Sequence, residues 1–378
     1  MIHPLDDYPV HQSSAPLLHT ISDSAGHYDR YFYNGFDSAG RIFIAGALGV
    51  YPNRQVMDAA FSVLVNGVQH NVRASRRCGR NRTSTEVGAI AVRVVHPMSE
   101  HRLTVDGRHG ITADLTWRAT SAVIEEPPFR RIVDGRPIFD YTRITQFGEW
   151  SGWIDIDGTR IELTDFGTVH GCRDRSWGLR NGTRGIPGPA HDRTFYWHWI
   201  PTVLSDSFTH IALNEDPAGR PWHRSGAVTE RFKVGDRDVD SLVDESRTIR
   251  ATGIDIGVDW STNTRWPSSA TARIDLWRAE PIELSYRPIL RFQMSGIGYT
   301  HPEWGHGSWR GEFDETRDSL DPAFVDPLAP SSLHVQQVCE VTSSDSPRDP
   351  IGVAVLETLA IGPHEPSGFA GYDDGASR

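Results

Sequence analysis

The stretch HRLTVDGRHGITADLTWRAT, residues 101–120, decides the fold. Leu103 and Val105 alternate with polar neighbours before Asp106-Gly107, and Ile111, Ala113, Leu115 and Trp117 do so after it. A period of two belongs to a strand with one buried face, and Asp-Gly favours a tight hairpin turn. The segment therefore predicts an antiparallel hairpin. The habit spreads outward. RIFIAGALGVYP (41–52), FSVLVNGVQHNVRA (61–74), VGAIAVRVVHP (87–97) and TRIELTDFGTVHG (159–171) read as strands, with further breaks at Asn66-Gly67, Asp134-Gly135 and Asp157-Gly158. ATARIDLWRAEPIELSYRPILRFQM (270–294) and IGVAVLETLAIGP (351–363) continue it in the second half. Helical periodicity is scarce, so the expected fold is all-β and antiparallel.

A chain of 378 residues exceeds one typical core, and two domains are expected, residues 1–185 and 186–378. The division falls in the Gly- and Pro-rich stretch RNGTRGIPGPAHDR (180–193), which cannot sustain a strand. The tail HEPSGFAGYDDGASR (364–378) is expected to be poorly ordered at its end. Hydrophobic residues at 38% and charged residues at 23% describe an ordinary globular chain. No apolar run approaches the ~18 residues of a membrane span, and the N-terminus lacks a signal-peptide pattern, so a cytoplasmic protein is expected. The net charge of −11 argues against a nucleic-acid partner. Three cysteines without ligand spacing suggest neither disulfides nor a metal site. Lys233 is the only lysine and sits at a strand end, which sets Schiff-base chemistry aside.

Four segments carry residues that could do chemistry. In HGCRDRSWGLRNG (170–182) an extended chain points Arg173 and Arg175 one way and Asp174 the other, toward Cys172 and Ser176. Asp174 among apolar walls would hold its proton and act as an acid, while Arg173 and Trp177 are candidate substrate contacts. In TFYWHWIP (194–201) Trp197 and Trp199 share one face, Tyr196 and His198 the other. His198 is a candidate base, and the three rings are candidate cavity walls. YTHPEWGHGSWRGEF (299–313) offers His301 as a second candidate base, with Trp304 and His306 as wall residues. Its His301-x-Glu303-x-x-His306 spacing lies outside any helix because of Pro302 and the glycines, and no metal is assigned to it. HYDRYFYNGFD (27–37) contributes Tyr33. The chain has no dinucleotide-binding glycine motif, no P-loop and no G-x-S-x-G elbow, so no cofactor is expected.

GCRDRSWGLR (171–180), TFYWHW (194–199), DPAGRPWHRSGAV (216–228), HPEWGHGSWRGE (301–312) and LETLAIGPHEPSGF (356–369) together resemble the tandem lipocalin-like superfamily of carotenoid 1,2-hydratases and tocopherol cyclases. The nearest resemblance is to a bacterial branch of it without an assigned activity, over about residues 27 to 368. It implies two lipocalin-like β-barrel or sandwich domains packed together with a hydrophobic pocket near their junction. It also implies a carboxylic acid that protonates an alkene, which by position is Asp174. Three functions follow. The first is a cofactor-free hydratase, isomerase or cyclase for a terpenoid, steroid or polyketide-like substrate. The second is a non-catalytic carrier of a hydrophobic metabolite, and the third a metal-dependent enzyme using His301, Glu303 and His306. The expected partner is a small hydrophobic molecule, with a homodimer as the assembly to test.

Overall fold

The computed structural model describes Leu5 and residues 10–181, 194–235 and 238–377. The first half forms β1 (His27–Asp37), β2 (Ile42–Tyr51), β3 (Val56–Val65), β4 (Val68–Arg77), β5 (Glu86–Val87), β6 (Ile90–His96) and β7 (Glu100–Asp106). It continues through β8 (Ile111–Ala119), β9 (Ile124–Glu125), β10 (Phe129–Val133), β11 (Arg136–Ile156), β12 (Thr159–Glu162) and β13 (Val169–Arg180). The second half opens with β14 (Phe195–Leu204), β15 (Ser207–Glu215), β16 (Pro221–Glu230), β17 (Thr248–Trp260) and β18 (Pro267–Leu276). It ends with β19 (Ala279–Gln293), β20 (Phe313–Leu320), β21 (Val335–Ser343) and β22 (Gly352–Ile361).

The fold is all-β, with two lipocalin-like bodies. One is a sheet in the order β20-β4-β3-β2-β1-β13-β11-β8-β7-β6-β5, with β9, β10 and β12 added along β11. The other is a closed eight-stranded barrel of β14–β19, β21 and β22. Asn66-Gly67, Asp134-Gly135 and Asp157-Gly158 all take positive φ at both positions, the left-handed geometry of a two-residue hairpin turn. Asp106-Gly107 does not. β7 and β8 pair as the alternation requires, but through a longer connection in which the Gly110 N–H donates to the Gly107 carbonyl.

The expected division between residues 185 and 186 lies outside the described residues, which resume on either side with β13 and β14. One strand crosses between the bodies. β20, from the second half, pairs with β4 at the edge of the first sheet, where Arg73 and Asn71 both bind Asp318. The described part of the C-terminal tail is packed down as far as Ala376. Arg265 is buried and donates to Asp374 and to the Gly362 and Gly371 carbonyls, while Phe369 and Ala376 are buried. A guanidinium removed from water needs those acceptors, and this holds the tail down.

The first sheet curls so that β7 packs over β2. Gly46 permits that approach, since a Cβ there would come within 2.3 Å of the Leu103 side chain. Inside the curl lie Leu48, Phe61, Leu103, Trp117 and Trp150. The outer faces of curl and barrel then pack on each other. Phe43 stacks on Phe292 at 4.6 Å, Phe147 on Phe208 at 4.4 Å, and Phe32 meets Trp199 edge-on at 6.1 Å. Among the described residues no helix is long and apolar enough to cross a membrane.

Phe292 is fully buried between the two bodies. Phe292→Ala should lower the unfolding free energy by about 3–5 kcal/mol in urea titrations. An unchanged midpoint would mean that the contact between the bodies adds nothing to stability.

Candidate functional site

Where the bodies meet, the packing leaves a cavity of about 360 Å³. Its floor comes from β1 and β13. These strands pair so that Phe32 lies opposite Asp174 and Tyr33 opposite Arg173. The pleat therefore sends Cys172, Asp174 and Ser176 toward the barrel and Arg173 and Arg175 away from it. Asp174 lines the cavity, and no hydrogen bond or ion pair reaches its carboxyl among the described residues. Burial pushes its pKa up to about 6, although Arg143, Arg30 and Arg180 pull the other way.

The walls are aromatic, with Phe32, Phe129, Tyr141, Trp197, Trp199 and Tyr299 among them. Two other carboxylates stand at the site, and both are fully engaged. Glu126 accepts from Arg143 Nε at 2.7 Å, from a second Arg143 nitrogen and from Thr145 Oγ1 at 2.7 Å. Burial opposes its charge, yet Arg143 and His210 outweigh burial and hold it well below the usual carboxylate range. Arg143 in turn lies 4.7 Å from the Trp197 ring centre. Glu357, on β22, accepts from Trp197 Nε1 at 2.9 Å, His334 Nε2 at 2.8 Å and Gln336 Nε2 at 2.5 Å. Burial again opposes the charge, and these donors keep its pKa low. His334 lines the cavity beside Tyr299. Its Nε2 donates to Glu357, and its Nδ1 is buried with no partner among the described residues.

Of the residues expected from sequence, the fold brings Asp174, Trp197 and Trp199 together at the cavity. The others go elsewhere. Tyr33 and Arg173 face into the curl, where the Tyr33 hydroxyl meets His101 Nδ1 at 2.5 Å and Arg173 donates to Gln146 Oε1 at 2.7 Å. Trp177 lies on the same side of β13 as Arg173 but near the strand's end, where it is exposed. Tyr196 and His198 point into the barrel on the far side of β14. Tyr196 stacks on His364 at 3.7 Å, and burial pushes the His198 pKa down to about 3. His301 Nδ1 accepts the Trp304 N–H of its own turn at 3.0 Å, and Trp304 lies against Arg310. His306 Nδ1 accepts from Arg30 Nη1 at 2.8 Å behind the cavity, and its Nε2 donates to the Ile297 carbonyl at 2.9 Å. The His301, Glu303 and His306 spacing thus forms no ligand cluster, and none is found among the described residues.

Sequence reasoning missed Glu126, Arg143, His334, Glu357, Arg30 and Arg180. Glu357 carried a usable signal, as a lone carboxylate inside the apolar strand GVAVLETLAI. A charge on a strand buried on both faces needs partners, so it marks a polar site. Arg143 carried none, since Tyr141-Thr142-Arg143-Ile144-Thr145 has no clean alternation to tell a buried face from an exposed one.

The carboxyl of Asp174 keeps its proton in the folded protein to a higher pH than in the unfolded chain. Stability therefore falls as pH rises from the ordinary value of 3.8 to about 6, and is level above that. Asp174→Asn removes the effect. At pH 8 the variant should be more stable than wild type by about 1–3 kcal/mol, with the difference closing below pH 4. Chemical denaturation at both pH values measures this, and a variant less stable at pH 8 would make Asp174 a structural anchor.

The overall arrangement is shared with solved structures. A crystal structure described as a candidate AttH from Nitrosomonas europaea matches with a TM-score of 0.53 at 11% identity, over 88% of this chain and 92% of that one. CghA matches with a TM-score of 0.50 at 10% identity, over 89% of each chain. Kievitone hydratase from Nectria haematococca follows at 0.49 and 12% identity, over 91% and 92%. The first two are likenesses of fold alone. No curated protein matches the chain. The family itself is defined by sequence across nearly the whole length, residues 2–370, and the chain belongs to that family of unknown function, DUF8625.

Proposed function

We propose that the protein is an enzyme that hydrates, isomerises or cyclises an alkene of a lipophilic substrate by general-acid catalysis, with Asp174 as the acid. The observation that carries this reading is a carboxyl without partners, raised to about pKa 6, inside an aromatic cavity. A carrier of neutral lipids gains nothing from burying such a group. The resemblance to hydratases and cyclases points the same way.

In the proposed step the Asp174 O–H bond breaks and the alkene π pair takes the proton, forming a C–H bond and a carbocation. Trp197 and Trp199 line the cavity, and a ring face turned to that charge would stabilise it. The cation is then resolved in one of three ways. Water adds and loses a proton, or a neighbouring C–H loses its proton and its electron pair forms the new double bond. In the third, a second double bond of the substrate adds its π pair to close a ring, and the new cation loses a neighbouring proton. In each case the proton passes to the His334–Glu357 pair in the cavity lining. Glu357 holds the His334 ring by its Nε2–H and supports the imidazolium. Return of that proton through solvent to Asp174 completes the cycle. His334 thus takes the role that the sequence assigned to His198 or His301.

Incubating a panel of prenyl and polyketide alkenes with the protein in deuterated water tests the acid step. Products should carry deuterium at carbon, and Asp174→Asn should reduce their formation by about 10²–10⁴-fold. Alkenes that bind and return undeuterated would establish a carrier instead.

A further inference from the structure

Beside the lipophilic cavity lies a second, smaller chamber of about 70 Å³. It is lined by Arg30, Arg54, Arg180, Tyr28, Tyr51 and His306, and Arg30 and Arg180 line the large cavity as well. We propose that this chamber binds the oxyanion head of the substrate, which is therefore an amphiphilic acid with its apolar body in the large cavity. The inference rests on reading the large cavity as the substrate site, and it names the class of molecule that fills it.

Among the described residues, the chamber holds three guanidiniums and no contacting counter-charge. No acid lines the chamber, and among the described residues none of its three guanidiniums has a carboxylate within ion-pair distance. Of the other buried arginines, Arg73 pairs with Asp318, Arg143 with Glu126 and Arg265 with Asp374, while Arg173 donates from two nitrogens to the amide oxygen of Gln146. Arg30 is 3% exposed, yet its partner is an imidazole, and its Nε has no acceptor at all. Arg180 lies between the rings of Tyr28 and Tyr141, and its side chain makes one hydrogen bond, to the Tyr28 hydroxyl at 3.2 Å. Arg54 donates to the Ala25 carbonyl at 2.7 Å. Asp58 acts on Arg30 and Arg54, and Asp174 on Arg30 and Arg180, through space and without touching them. Asp58 accepts the Gly307 N–H, and Asp174 faces the large cavity.

Arg30 is buried, Arg180 half-buried and Arg54 exposed at the edge of the chamber, and none touches a carboxylate among the described residues. An incoming oxyanion supplies that counter-charge and accepts several charge-assisted hydrogen bonds. Guanidinium forks suit planar or tetrahedral oxyanions better than they suit neutral hydroxyls. The chamber has room for one such group and no ring. A bound anion also competes with Asp174 for Arg30 and Arg180, which favours the protonated acid once substrate is in place. The same contacts would thus select the substrate and charge the catalyst.

Two dyes that share one aromatic body separate head from body. 1-Anilinonaphthalene-8-sulfonate carries an oxyanion, and N-phenyl-1-naphthylamine lacks it. Fluorescence titration of the full chain should show the sulfonate binding about tenfold tighter or more. Arg180→Gln and Arg54→Gln should each erode that preference. Arg54→Gln, outside the large cavity, should leave the neutral dye's affinity unchanged, which also shows that this variant folds. A lipophilic carboxylate and the corresponding monophosphate, competed against the sulfonate dye, then tell which oxyanion the chamber takes. Equal affinities in wild type, or a preference intact in both variants, overturn the inference and leave the catalytic reading standing. If neither dye binds, the large cavity is not a lipophile site and both readings fall.

Discussion

Everything at this site depends on the burial of one β surface against another. β1 and β13 on the curled sheet, and β14 and β22 on the barrel, are buried on both faces, one toward their own core and one toward the partner body. The hydrophobic gain is large and undirected, at about 25 cal/mol per Å² of apolar surface removed from water. It is strong enough to carry Glu126, Arg143, Glu357 and Arg30 into the interior with it. Once there, each polar group must be satisfied or become reactive.

The three carboxyls of the site show the two outcomes. Glu126 and Glu357 are saturated with donors and held as anions, so they serve as anchors for Arg143 and His334. Asp174 stands on the same apolar interface with no donor in contact, and desolvation favours its neutral form. Groups of one chemical type driven apart in pKa by their surroundings are how a single cavity comes to hold both an acid and fixed charges. The arginines make a parallel contrast, because Arg143 is paired with Glu126 in direct contact while no carboxylate touches Arg30, Arg54 or Arg180 among the described residues.

The legible part of the site was what the pleat determines locally. Alternation in CRDRS places Asp174 opposite Arg173 and Arg175, and alternation in FYWHW separates Trp197 and Trp199 from Tyr196 and His198. Both separations hold in the structure. Which of the two faces meets the cavity is another matter, because on a strand buried on both sides each face is apolar. His198 and Tyr33 were plausible wall residues for that reason, and they fill cores instead. The loop carrying His301, Trp304 and His306 lacks periodicity, so nothing local in it distinguishes a cavity wall from its own turn.

The amino-acid sequence by itself determined an all-β chain, its hairpins at Asn66-Gly67, Asp134-Gly135 and Asp157-Gly158, and the side of its strand on which Asp174 lies. These depend on near neighbours, whose chirality and period of two are written residue by residue. Only the tertiary structure decided that β20 crosses to the first sheet, that Glu357 grips His334 and Trp197, and that three arginines from separate segments surround one chamber. Those pairings join positions far apart in the chain. Any strand edge or buried charge could meet many complementary ones, and only the packed interface selects which.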